Sequence, residues 1–288
     1  MQVSTIQNHT LSISVKHHGA ELCSLKRGDT EYMWQGDPAH WVRQSPVLFP
    51  IIGELKSDEF YFKGKNYGMK RHGLARNLPF TLLEQTDNSL IFSLKSNEAT
   101  LENYPFPFEL QINYKLTDSQ LTVGYTVINS NDETIYFSIG GHPAFNVPLN
   151  ISEKRSDYQL VFNKPENALT QQLTDGLRNG VTKLILDNEN TIDITDDLFE
   201  EDALVFHNLN STSVSIQKGN TKKLTFDFTG FPYLGIWSSS RTAPFVCIEP
   251  WCGVADHISH NQQIAEKEGI VTLAGQSVFE RSYSITVY

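Results

Sequence analysis

FELQINYKL (residues 108–116) and QLTVGYTVIN (120–129), joined by the polar turn LTDSQ, alternate apolar residues with polar ones over most of their length. A period of two sends one row of side chains into a core and the other toward solvent, as antiparallel strands require. The signature extends outward from this pair. LSISV (11–15) and LIFSLKS (90–96) precede it; TIYFSIG, DYQLVF, KLILD, ALVFHNL, SVSIQ, KLTFDF, YLGIWS, FVCIEP and SYSITVY follow it. KRGDTE, FKGKNYG, NSNDET and KGNTKK separate these runs with turn-forming residues. Short strands at spacings of roughly 8 to 12 residues predict an all-β protein, a large antiparallel β-sandwich or barrel. Helix is expected only in short pieces: SNEATLENY (96–104), stopping before Pro105, and HNQQIAEKEG (260–269), closed by Gly269.

No Pro-rich, Gly/Ser-rich or charge-block linker interrupts the pattern, so residues 1–288 are expected to form a single β-sandwich domain. The 33 acidic residues outnumber the 23 basic ones and give a formal charge of −10, which argues against nucleic acid and anionic membranes as partners. Cys23, Cys247 and Cys252 are odd in number and lack the spacing of a zinc ribbon, so buried thiols are expected rather than disulfides. The N-terminal MQVSTIQNHTLSISV has no basic segment followed by an apolar core. Nor does any apolar run approach the roughly 20 residues that span a bilayer. A cytoplasmic protein is the expectation, in which the sequons at Asn8, Asn150 and Asn210 carry no glycan. Open sheet edges are compatible with either a monomer or a homodimer.

Three segments place chemistry at the ends of apolar runs. SIGGHPAFN carries His142 after two glycines, which permit unusual backbone conformations or close approach; Asn146 is a nearby amide. MKRHGLARNLPF carries His72 with Arg71 and Arg76 on either side, groups that hydrogen-bond a polar, sugar-like ligand. FVCIEPW buries Glu249 in an apolar run, where desolvation is costly and raises a carboxyl pKa toward that of a useful base. Trp237 and Trp251 read either as platforms for a sugar's apolar face or as core filler. Asp256, His257 and His260 (ADHISH) read as a polar loop, lacking the helix-borne histidine pair with intervening glutamate of zinc proteases. No phosphate-binding loop, dinucleotide fingerprint or nucleophile elbow is present, so no metal and no cofactor is expected.

Together LFPIIG (48–53), RHGLAR (71–76), GGHPAFN (140–146), FPYLGIWS (231–238) and CIEPW (247–251) resemble the aldose 1-epimerase (galactose mutarotase) family, in its LacX-type branch. The resemblance implies a galactose mutarotase-like supersandwich, no cofactor, and an open cleft for a small sugar. Residue by residue it makes Glu249 and His142 the catalytic pair and His72 a sugar contact near the reacting carbon. Arg76 matches the HG-x-A-R arginine of the branch related to hexose-6-phosphate mutarotases. Two positions depart from the pattern. Glu54 stands where galactose mutarotases carry an arginine, a role that falls to Arg76 or Arg43. Gly230 stands where they carry a sugar-binding aspartate, and Asp227 is the carboxylate expected to replace it.

The reaction so implied interconverts the α and β anomers of a hexose. An ionised Glu249 takes the C1 hydroxyl proton while a protonated His142 donates to the ring oxygen. The alternatives are a hexose-6-phosphate mutarotase gripping phosphate with Lys70, Arg71, Arg76 and Arg43, a non-catalytic carbohydrate-binding protein with the same cleft, and a metal-dependent isomerase built on ADHISH.

Overall fold

A computed structural model describes residues 2–288. The hairpin that opens the sequence reading forms as its alternation demands: Glu109–Thr117 pairs with Gln120–Asn129, Leu110 opposite Val127 and Leu116 opposite Leu121. Every second residue of the second strand is buried. This hairpin lies within a nine-stranded antiparallel sheet. Its order runs Leu177–Asp193, Tyr158–Thr174, Ser213–Lys218, Thr221–Asp227, Ser277–Val287, Gln120–Asn129, Glu109–Thr117, Ser89–Lys95, Thr81–Gln85.

A six-stranded antiparallel sheet packs across it, built from Leu204–His207, Tyr233–Trp237, Phe245–Cys252, Ile139–Gly141 and Val47–Leu48, with Ala144–Asn146 also paired to Phe245–Cys252. Aromatic pairs such as Phe145–Phe226 and Phe162–Phe206 bridge the two sheets. The main core fills the space between them with residues such as Leu110, Ile112, Val246, Ile248 and Ile285. Sheets stacked face to face with interdigitating apolar rows make a sandwich. A four-stranded sheet (Val3–Gln7, Ser12–Lys16, Glu21–Arg27, Thr30–Glu31) completes the N-terminal side.

Glu98–Asn103 is α-helical as expected, because Asn97 and Thr100 cap each other's backbone N–H groups. The second expected helix is corrected. Across 260–269 only Ile264–Glu266 forms a 3-10 turn. Asn261 Oδ1 and His260 Nδ1 accept the N–H groups of Gln263 and Gln262, and Gln262 takes a left-handed φ of 65°. Side chains that capture backbone donors locally compete with helix formation. Among the described residues no helix is long and apolar enough to cross a membrane.

One glycine pair shows why the central strands lie so close. A Cβ on Gly140 would sit 2.6 Å from the Pro250 carbonyl oxygen and 2.7 Å from the Trp251 ring; one on Gly141 would sit 2.8 Å from the Tyr125 hydroxyl. Neither glycine has positive φ, so close approach is what the GG dipeptide supplies. G140A is expected to destabilise the fold by about 1–3 kcal/mol through overpacking. Urea titration reads this directly, and a midpoint equal to wild type would mean that the strand simply shifts.

Candidate functional site

Phe245–Cys252 is buried along its whole length because both of its faces are covered. Alternation divides it: Val246 and Ile248 enter the main core, while Phe245, Cys247, Glu249 and Trp251 share the opposite face. Gly235 pairs opposite Glu249. A Cβ there would lie 2.5 Å from the Trp251 ring, so glycine is what lets that indole lie across the strand.

His142 leaves the end of Ile139–Gly141 and places Nε2 3.2 Å from Glu249 Oε2. Trp41 stacks on its ring at 4.8 Å between centroids, and Trp237 meets it edge-on at 5.5 Å. His72 approaches from the other side, its ring centroid 5.7 Å from that of His142. It holds a left-handed φ of 64°, and Gly73 follows at 72° where a Cβ would strike the Phe49 carbonyl at 2.3 Å. The Gly53 N–H donates to His72 Nδ1 at 3.1 Å. The neutral ring therefore carries its proton on Nε2, as a donor.

These groups line one solvent-open cleft together with Arg76, Trp237 and Trp251. Arg71 and Glu54 are also in its wall and pair with each other at 2.5 Å. Arg43 lies just behind, donating to Asn77 Oδ1 and to the Arg76 carbonyl. Lys70 is turned outward and bound to Asp58.

Two of the expected substrate contacts lie elsewhere. The Asn146 amide donates to the carbonyls of Glu31 and Met33, tying the six-stranded sheet to the N-terminal segment. It is a backbone brace, since both hydrogens of its NH2 group are used within the protein. Asp227 accepts the Thr229 N–H at the end of its strand, and Gly230 packs against Arg281; neither residue reaches the cleft. A carboxylate that sequence reasoning missed does line it: Asp202, at φ 99°, beside Ala203 and facing the Glu249 pocket. Only its position as the last acid of EED before the apolar run ALVF pointed to it. Trp41 was likewise unmarked.

The cleft's far rim is the tip of the hairpin Tyr158–Thr174 and Leu177–Asp193, where Leu173 and Gly176 enter its lining. Asp175 and Gly176 both have positive φ, the two-residue turn that an Asp-Gly pair favours. That dipeptide was the available signal. A Cβ on Gly176 would lie 2.4 Å from the Arg71 guanidinium, so the tip rests directly on the Arg71–Glu54 pair.

The ADHISH carboxylate is consumed internally. Asp256 is almost fully buried, with Lys267 Nζ at 2.7 Å, His260 Nδ1 at 3.3 Å and the Lys56 N–H at 3.0 Å. Lys267 also donates to the Val254 carbonyl. The cluster pins the Val254–Ala255 wall of the cleft.

Burial governs the acid–base pair. It raises the Glu249 carboxyl well above the ordinary carboxylate range; the Asp202 charge adds to the rise, and the Trp251 indole opposes it. It lowers His142 to about 3, with Arg76, Arg43 and Arg71 pushing the same way. Both directions favour uncharged groups. Burial thus works against the resting carboxylate and imidazolium expected from the sequence, and the attraction between two groups 3.2 Å apart works for them. One proton remains on the pair in either description. His72 is also lowered, by burial first and then by His142 and the three arginines.

The fold is that of the galactose mutarotase-like proteins. A family model described as aldose 1-epimerase matches residues 2–271. The chromosomal protein LacX of Lactococcus lactis subsp. lactis is 34% identical over 295 positions, 98% of each chain. Among solved structures, the galactose mutarotase related enzyme of Lactobacillus acidophilus matches with a TM-score of 0.95 at 36% identity, over 100% of this chain and 97% of that one. A galactose mutarotase-like protein from Lactobacillus casei ATCC 334 matches with a TM-score of 0.93 at 31% identity, over 100% of both. The chain belongs to the aldose 1-epimerase family.

Depressed histidines have a consequence for stability. Below the unfolded imidazole pKa of about 6.5 the unfolded chain binds protons that folded His72 and His142 refuse, so stability falls as pH drops through that value. H72Q is expected to flatten the fall between pH 7 and pH 5 in denaturant titrations. An unchanged slope would show that His72 takes up its proton in the folded state.

Proposed function

We propose that the protein is an aldose 1-epimerase, a mutarotase acting on the ring form of a hexose without a cofactor. The observation that carries the reading is the buried His142–Glu249 pair, 3.2 Å apart at the cleft wall. Glu249 Oε2 has no hydrogen-bond partner within the protein. A C1 hydroxyl donating to it supplies one. A hydrogen bond to the charged form favours that form, so substrate binding moves the shared proton from Glu249 to His142. Glu249 then takes the C1 proton as His142 protonates the ring oxygen. The ring opens to the aldehyde, C1–C2 rotation presents the other face, and closure reverses the transfers. Trp41, Trp237 and Trp251 offer apolar surface to the sugar ring; His72 Nε2–H, Arg76 and Asp202 offer donors and an acceptor for its hydroxyls.

E249Q and H142N are expected to keep the fold and to lose about 10²–10⁴ in turnover each, the usual worth of a positioned proton-transfer group. Polarimetry on freshly dissolved α-D-glucose and α-D-galactose measures this. Near-normal rates in either variant would remove the assignment. Sugar binding without anomer exchange in the wild type would leave a carbohydrate-binding protein.

The pH profile follows from the one-proton pair. Its acid limb requires a second proton on His142, which burial holds to about 3. Its alkaline limb requires loss of the single proton, which burial of Glu249 delays. The rate constant kcat/KM is therefore expected to stay level from about pH 7 down to about pH 5. A limb at the ordinary imidazole value would show instead that free His142 must be charged.

A phosphorylated hexose is the second reading, favoured by one observation. Among the described residues Arg76 and Arg43 have no carboxylate within 4.0 Å, and Arg76 Nε is buried without a hydrogen-bond partner. Burial, then Arg43 and Arg71, push Arg76 down to about 10, against the weaker opposing pull of Glu54 and Glu21. Lys70 and Arg71 drop out of the proposed phosphate grip, being paired to Asp58 and Glu54. Under this reading R76Q lowers kcat/KM for a hexose 6-phosphate at least about tenfold more than for the free hexose, the worth of a charge-assisted hydrogen bond. Equal losses on both would return the assignment to neutral sugars.

A further inference from the structure

Cys247 is one ordinary step from Glu249 along the same strand face, and the mechanism makes no use of it. Its thiol sulfur, one imidazole nitrogen of His142 and one carboxyl oxygen of Glu249 all lie within 4.8 Å of one another. The three residues are 0%, 7% and 1% exposed. Two of the polar atoms, His142 Nδ1 and Glu249 Oε2, are buried without any hydrogen-bond partner. A thiol, an imidazole and a carboxyl group converging in this way form a donor set suited to a borderline-soft cation.

We propose that His142, Cys247 and Glu249 form a binding site for a thiophilic divalent cation of the zinc class, and that its occupation switches off the acid–base pair. Zinc holds sulfur at about 2.3 Å and nitrogen or oxygen at about 2.0–2.2 Å, so tetrahedral ligands stand roughly 3.4–3.8 Å apart. The imidazole and carboxyl, at 3.2 Å, need to part by only a few tenths of an ångström, and moving the Cys247 sulfur by about an ångström brings it within the same span. His142 and Glu249 both line the cleft, which gives a cation and a fourth ligand their route in. Protons and charge balance: the cation takes the place of the thiol proton and of the single proton held by His142 and Glu249. Two protons leave, and Zn²⁺ with one thiolate, one carboxylate and one neutral imidazole has no net charge. An uncharged complex suits a site where desolvation suppresses ions, and a coordinated thiol is deprotonated outright. No oxidation or reduction is involved.

The inhibitory half of this proposal rests on the mutarotase reading; the binding half does not, and cobalt separates the two. Co²⁺ added to chelator-treated protein is expected to give a thiolate-to-cobalt charge-transfer band and strong tetrahedral visible bands. Both disappear in C247A and persist in C23S, whose thiol lies outside the cluster. Zinc affinity, read by competition with a chromophoric chelator, is expected to fall by about 100-fold or more on loss of the sulfur. Zinc should slow anomer exchange reversibly in the wild type and only at correspondingly higher concentration in C247A, each compared with its own metal-free rate. If C247A fails to fold by circular dichroism, C247S serves the same comparison. No thiolate band at saturating cobalt, the same spectrum with and without Cys247, or bound metal with undiminished exchange would each overturn the proposal. A protein that shows the thiolate band but catalyses no exchange even metal-free would overturn the mutarotase reading and leave the cation site standing.

Discussion

The withdrawal of water from a carboxyl group and an imidazole 3.2 Å apart is the constraint around which the cleft is arranged. In water the two would form an ion pair. Here Glu249 and His142 are each more than nine-tenths buried, and burial penalises the charged form of each against the attraction of the other. The pair keeps one proton and no net charge. Its resting form is therefore balanced against the ionic form, and hydroxyl donors entering the cleft tip that balance. A site built this way needs rigid walls, because an ångström of slack would admit water and restore ordinary titration.

The walls come from backbone proximity more than from bulky packing. Gly140 and Gly141 let the His142 strand lie against Pro250 and Tyr125. Gly235 yields its side-chain space to Trp251, and Gly53, with Ala255 pressed against it, offers its N–H to His72. The Val254–Ala255 segment is fixed by the buried Lys267–Asp256 pair, whose charges neutralise each other and whose carboxylate also accepts the Lys56 N–H. Two buried charge systems thus sit in one region with opposite uses. Asp256 and Lys267 are bonded to each other and to backbone and hold position; Glu249 and His142 are left short of hydrogen bonds and hold a proton.

Period-two alternation made the strands legible, since it reports directly on which face is buried. It worked best for Glu109–Thr117 and Gln120–Asn129, where one face packs and the other is more open. The three chemical segments were legible for a related reason: Glu249 in an apolar run and His142 after two glycines are costly unless something requires them. Asn146 and Asp227 looked similar but met local backbone partners instead, an outcome set by strand register and turn geometry. Asp202 and Trp41 reach the cleft through loops whose paths no periodicity encodes. HNQQIAEKEG failed as a helix because Asn261 and His260 found nearer donors than the next turn would have provided.

The hairpin tip adds a limit on what the cleft accepts. Gly176 lies on the Arg71–Glu54 pair, so that pair is held from above by backbone and from the side by each other's charge. Arg71 is thereby neutralised, while Arg76, beside His72, is not. The cleft lining thus carries a cation, Arg76, that no carboxylate among the described residues pairs, and an anion, Asp202. A hexose bound at the His142–Glu249 pair therefore has both a cation and an anion within the same cleft. Such a polarised cleft orients a neutral sugar by its hydroxyl dipoles. An anionic substituent would be favoured beside Arg76 and disfavoured beside Asp202, whose charge already raises the cost of ionising Glu249.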